Sequence, residues 1–119
     1  MKKVLIVDDS TSFSLQLEQI LADSGEFQVV GQGRNGMDAI SLEQSLQPDI
    51  ICMDINMPLM DGLTALRTLT ALNSDIKVVM TSSLGSAGNK FAEALRLGAR
   101  QVISKPFEHE NVLRTLREL

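Results

Sequence analysis

Hydrophobic positions along this chain fall into two alternating kinds of segment. Short apolar runs recur at "KVLIV" (3–7), "FQVVG" (27–31), "DIICMD" (49–54), "KVVMT" (77–81) and "QVIS" (101–104). They are too short for helices and rich in β-branched and aliphatic residues, so they read as buried strands. Between them apolar residues return at helical spacing: Phe13, Leu17, Ile20 and Leu21; Ala39, Ile40 and Leu46; Leu63, Leu66 and Leu69; Phe91 and Leu95; Val112, Leu113 and Leu116. Punctuation supports five helices. Ser24-Gly25 closes the first, Gln47-Pro48 leads into the third strand, Gly98 follows the fourth helix and Pro106 precedes the last.

Five strand–helix pairs in strict alternation predict one α/β domain over residues 1–119, a (βα)5 doubly wound parallel sheet. The expected strand order is the flavodoxin-like 2-1-3-4-5. Such sheets bind ligands beyond the carboxyl ends of the strands where the order reverses, between the first and third strands.

Those ends carry chemistry. The first strand runs into Asp8-Asp9, the third ends at Asp54, the fourth at Thr81-Ser82 and the fifth at Ser104-Lys105-Pro106. Three carboxylates on one rim repel one another unless some protonate or a cation sits among them. An all-oxygen ligand set with no His or Cys suits Mg²⁺, which brings phosphate chemistry. Asp54, at the middle of the rim, is the candidate nucleophile toward phosphorus, and Asp9 with Asp8 the metal holder. Lys105 would neutralise charge on a transferring phosphoryl group, and Ser82 would donate a hydrogen bond to it. Ser83 is small enough to leave the pocket open.

Composition narrows the classes further. With a net charge of −4 and a pI near 4.9, the chain lacks the dense basic patch of a nucleic-acid binder. No apolar run is long enough to span a bilayer, and "MKKVLIVDD" turns acidic too early for a signal peptide, so a cytoplasmic location is expected. The lone Cys52 lies in a strand and reads as core. His109 and Lys2-Lys3 read as solvated charges or polar groups. "MPLMDG" (57–62) has the chemistry of a turn followed by a helix start, with its Met residues packing.

One motif points elsewhere. Gly31, Gly33 and Gly36 match the G-x-G-x-x-G fingerprint of dinucleotide binding. A dinucleotide fold carries that fingerprint after its first strand, at the switch point, whereas here it follows the second strand, at an expected sheet edge. The glycines are read instead as a flexible strand-to-helix turn, with Asn35-Gly36 supplying positive φ or a cap. A flavin- or dinucleotide-binding module is the alternative class. A phosphohydrolase of the haloacid dehalogenase type is another, but Asn56 stands where its second acid belongs.

At these same residues the sequence resembles the receiver domains of two-component response regulators. "VLIVDDS", "PDIICMDINMPLMDG", "VVMTSS" and "SKPF" fall in the right order at the expected strand ends. The chain looks most like stand-alone chemotaxis-type receivers, and "VVMTSSL" also resembles the receiver half of chemotaxis methylesterases. The resemblance implies Asp54 as phosphoacceptor, Asp8 and Asp9 as the acidic pair, Ser82 as switch hydroxyl and Lys105 as active-site lysine. It also implies a cis peptide before Pro106, Mg²⁺ bound partly through the main-chain carbonyl of Asn56, and a phosphohistidine donor on a sensor kinase or phosphotransfer protein. Phosphorylation is then expected to repack the face formed by the fourth strand, fourth helix and fifth strand, which binds an unidentified target. Three positions before Lys105 many members carry a swinging aromatic, and this chain has Val102. Asn56 and Leu84, the positions that tune hydrolysis in the family, are an amide and an aliphatic residue. Leu84 cannot orient a water, so a persistent phosphoryl state is expected. Both ends of the chain fit an intact shuttle, with a domain excised from a larger regulator as the alternative.

Overall fold

The computed structural model describes residues 1–83 and 88–119. Its elements alternate as expected: β1 (Lys2–Val7), α1 (Thr11–Ser24), β2 (Phe27–Gly33), α2 (Gly36–Leu46), β3 (Ile50–Asp54), α3 (Gly62–Leu72), β4 (Val78–Ser82), α4 (Gly88–Arg96), β5 (Gln101–Ser104) and α5 (His109–Arg117). The strands form one parallel sheet in the order β2-β1-β3-β4-β5.

Successive strand side chains point to opposite faces, which divides the core into two layers. Val4, Ile6, Ile50, Cys52 and Val79 pack with Leu17, Ile20, Leu21, Val112, Leu113 and Leu116, from α1 and α5. Leu5, Val7, Ile51, Met53, Val78 and Met80 pack on the other face with Ala39, Ala65, Leu66, Leu69 and Ala94, from α2, α3 and α4. β3 and β4 are buried along their whole length, as near-continuous apolar runs require. β2 and β5, at the edges, are partly open. Cys52 is core, and burial pushes its thiol up to about 12. Among the described residues, no helix is long and apolar enough to cross a membrane.

Two expectations need correction. Gly31 and Gly33 belong to β2 rather than to a turn, and Gly36 is the first residue of α2. None of the three has positive φ. They are small because α2 lies directly on β2: a Cβ on Gly31 would sit 2.6 Å from Leu46 Cδ1, and one on Gly33 2.9 Å from Asp38 Cβ. A Cβ on Gly36 would sit 2.7 Å from the Met60 carbonyl oxygen. Asn35 caps the helix, accepting from Asp38 N–H at 2.9 Å. The fingerprint here is a packing pattern. The second correction concerns α4. It buries Ala94, while Phe91 is half-buried and Leu95 is exposed, so Ala94 rather than Leu95 turns toward the sheet.

Gly36→Ala is expected to destabilise the fold by about 1–3 kcal/mol, since the obstructing atom is backbone. Gly31→Ala should cost less, because it meets only the movable tip of Leu46. Urea denaturation of both variants checks the ranking.

Candidate functional site

The sheet delivers Asp8, Asp54, Ser82 and Lys105 to one rim because β1, β3, β4 and β5 all end there in register. The backbone fixes each position. Asp8 N–H donates to Gly33 O at 3.0 Å, Ile55 N–H to Thr81 O at 3.0 Å, and Lys105 N–H to Ser82 O at 2.7 Å. The Lys105-Pro106 peptide is cis, as the resemblance implied.

Asp8, Asp54 and Lys105 are all buried. Lys105 Nζ lies 2.7 Å from Asp8 Oδ2 and 3.4 Å from Asp54 Oδ2, so its closer partner is the first-strand acid rather than the candidate nucleophile. Asp8 Oδ1 accepts from Ser10 N–H at 2.8 Å. Ser10 in turn caps α1. The ammonium also sits 4.4 Å from the centre of the Phe13 ring, which packs edge-on against Phe107 at 5.8 Å. Nearby apolar and aromatic surfaces thus hold the lysine tip in place.

Burial, then the neighbouring Asp8 charge, push the Asp54 carboxyl up from 3.8 to about 6, against the pull of Lys105 and a hydrogen bond from the Asn56 backbone. One ammonium does not balance the acids gathered here. Oxygens of Asp8, Asp9 and Asp54 lie within 4.8 Å of one another, with Asp9 exposed at the mouth. That donor set, all carboxylate and open on one side, fits a hard divalent cation that keeps part of its water.

Ser82 Oγ is buried and has no hydrogen-bond partner among the described residues. An orphaned buried hydroxyl costs free energy until an acceptor arrives. Ser83 is exposed beside it. Val102, paired with Met80 in the sheet, is half-buried and aliphatic. Pro106 is exposed, and Leu84 lies outside the described residues.

The loop between β3 and α3 is tied at both ends. Gly62 N–H donates to Ile55 O at 2.8 Å, and a side chain at Gly62 would collide with the Asp54 carbonyl. Gly36 N–H donates to Met60 O at 2.8 Å, and Asp61 caps α3 through Thr64 N–H. Met57 and Met60 pack against the core, as expected. Leu59 was not anticipated: it takes a left-handed backbone (φ 68°) and is 84% exposed. Asn56, on this loop, is exposed, and its Oδ1 accepts from Lys90 Nζ at 2.8 Å.

Sequence reasoning missed three contributors. Phe13 was read only as core, Lys90 lies far away in the chain, and Arg34 sits in the glycine-rich segment. Arg34 reaches over the acidic loop, donating to Asp9 O at 2.9 Å and Thr11 Oγ1 at 3.3 Å. No local pattern marks a long side chain that arrives from another element.

Residues 4–117 match the family described as response regulator receiver domain. The chain is 39% identical over 118 residues to a chemotaxis protein CheY of Listeria monocytogenes, covering 99% of this chain and 98% of that one. It is 41% identical over 118 residues to a protein-glutamate methylesterase/protein-glutamine glutaminase of Methanosarcina acetivorans, covering 98% of this chain but 34% of that one. It therefore spans about a third of the methylesterase relative's length. The response regulator domain of Thermotoga maritima CheB is similar in structure, with a TM-score of 0.89, 34% identity, and coverage of 99% of this chain and 95% of that one. CheY in a CheX-CheY-BeF3-Mg complex from Borrelia burgdorferi gives a TM-score of 0.91 at 33% identity, covering 98% of this chain and 87% of that one. With the sheet order, the acidic rim and these likenesses in agreement, the chain belongs to the response regulator receiver domain family.

Proposed function

We propose that this receiver works as a phosphorylation switch of the chemotaxis type, with Asp54 as the phosphoacceptor. The observation that carries the reading is the buried Asp8–Lys105–Asp54 cluster beneath an open acidic mouth. An Asp54 carboxylate oxygen attacks the phosphorus of a phosphohistidine on a sensor kinase or phosphotransfer protein. The phosphorus–nitrogen bond breaks, the imidazole keeps the electron pair and takes up a proton, and an acyl phosphate remains on Asp54.

Asp8, Asp9 and Asp54, with the Asn56 main-chain carbonyl, would hold Mg²⁺. Bound there, the ion supplies positive charge opposite the phosphoryl oxygens. Lys105 supplies the second positive charge, and moving its ammonium from Asp8 toward a phosphoryl oxygen requires only a short displacement within its present cage. Ser82 gains the acceptor it lacks, which favours a state in which the end of β4 is drawn toward Asp54. The altered face then binds a downstream protein with changed affinity. The likeness to methylesterases supports a second reading in which the same switch governs an attached catalytic domain.

Intact mass after incubation with phosphoramidate should show one added phosphoryl group that requires Mg²⁺ and Asp54. No addition to folded wild type, or equal addition to Asp54→Asn, would overturn the assignment. Lys105→Met should slow the addition by about 10²-fold or more at saturating Mg²⁺, as loss of a charge-stabilising group does.

The raised carboxyl also makes a stability prediction for metal-free protein. Asp54 loses its proton near pH 4 when unfolded but near 6 when folded. Folded protein therefore binds the extra proton, and stability falls as pH rises from about 4 to about 6. Asp54→Asn should remove that slope and raise stability at pH 7 by up to about 3 kcal/mol. The gain should vanish below pH 4. Thermal denaturation by circular dichroism in a chelator, across this pH range, checks both.

A further inference from the structure

Helix α4 is lightly held. Among its described side chains only Ala94 is fully buried, whereas α3 buries Gly62, Ala65, Leu66 and Leu69. Its first turn is nevertheless joined to the acidic rim by one directed contact, Lys90 Nζ to Asn56 Oδ1 at 2.8 Å. Asn56 lies two residues beyond Asp54, and its backbone helps to hold the Asp54 carboxyl down. One hydrogen bond thus ties α4 to Asn56, the loop residue two positions beyond Asp54.

The charge on Lys90 has no carboxylate partner among the described residues. It rests on a neutral amide oxygen. A cation in the first turn of a helix also opposes the helix dipole. An amide acceptor is a weak partner beside a phosphoryl dianion, whose oxygens make shorter, charge-assisted bonds with an ammonium.

We propose that Lys90 couples α4 to the chemistry at Asp54: its ammonium rests on Asn56 Oδ1 in the unphosphorylated protein and transfers to a phosphoryl oxygen when Asp54 is modified. The inference rests on Asp54 being the phosphoacceptor. Lys90 is here a positioning residue for the helix, not a group required for the transfer itself. Its exposure means that substitution disturbs no core.

Hydrogen exchange of the α4 amides, with and without phosphoramidate in Mg²⁺, tests the coupling, and intact mass reports Asp54 occupancy in the same samples. In wild type, phosphorylation should slow exchange in α4 by about tenfold, the scale expected when a neutral acceptor is replaced by a charged one. Lys90→Met should take up the phosphoryl group yet show less than a twofold change, and Lys90→Arg should restore most of the slowing. Equal slowing in Lys90→Met at equal occupancy would overturn the coupling alone. Wild type that takes up no phosphoryl group would overturn both the coupling and the reading it rests on.

Discussion

The buried ammonium of Lys105 between Asp8 and Asp54 is the constraint around which this molecule is arranged. Charges leave water only at a cost of several kcal/mol each, and they tolerate burial when the partners stand at hydrogen-bonding distance with their remaining valences filled. Three different strands must therefore end at matching heights. The sheet register achieves this, with Val7 beside Met53, Asp54 beside Thr81 and Ser82 beside Ser104. The ring of Phe13 and the backbone of Ser10 complete the enclosure. A rim that is both buried and over-supplied with negative charge stores unfavourable electrostatic free energy in its resting form. That stored energy is what a cation held among the three acids would relieve.

Much of this was legible in the order of residues. Buried parallel strands advertise themselves as continuous apolar runs, and strict alternation with helices leaves little freedom in how they are wound. The strand ends then reveal the acids, the hydroxyl and the lysine without any contact being known, because each ends a run. What could not be read was pairing. The preference of Lys105 for Asp8 depends on an ångström-scale difference, and Arg34 and Lys90 arrive from elements whose approach no local pattern records. The three glycines misled for the same reason. The smallness of Gly31 and Gly33 answers to α2, and that of Gly36 to the Met60 backbone, and a string of letters shows the small residue but not the surface pressed against it. In α4, Phe91 and Leu95 suggested an inward face, yet Ala94 takes the core contact.

The likenesses to a CheY spanning nearly the same length and to a methylesterase about three times as long show one scaffold used alone and as a part. The physical basis is visible in the fold. The acidic rim is built by the sheet and its two flanking layers, all within the 4–117 match. Among the helices around it, α4 fully buries only Ala94 of its described side chains.

Cys52 lies on the central strand two residues before Asp54, facing the α1–α5 layer, and is the one thiol in the chain. Burial keeps it protonated and out of reach of reagents in the folded protein. Its alkylation rate therefore measures how often the middle of the sheet opens. With no tryptophan or tyrosine to fluoresce, that single sulfur gives the molecule a built-in probe of its own breathing, two residues from Asp54 on the same strand.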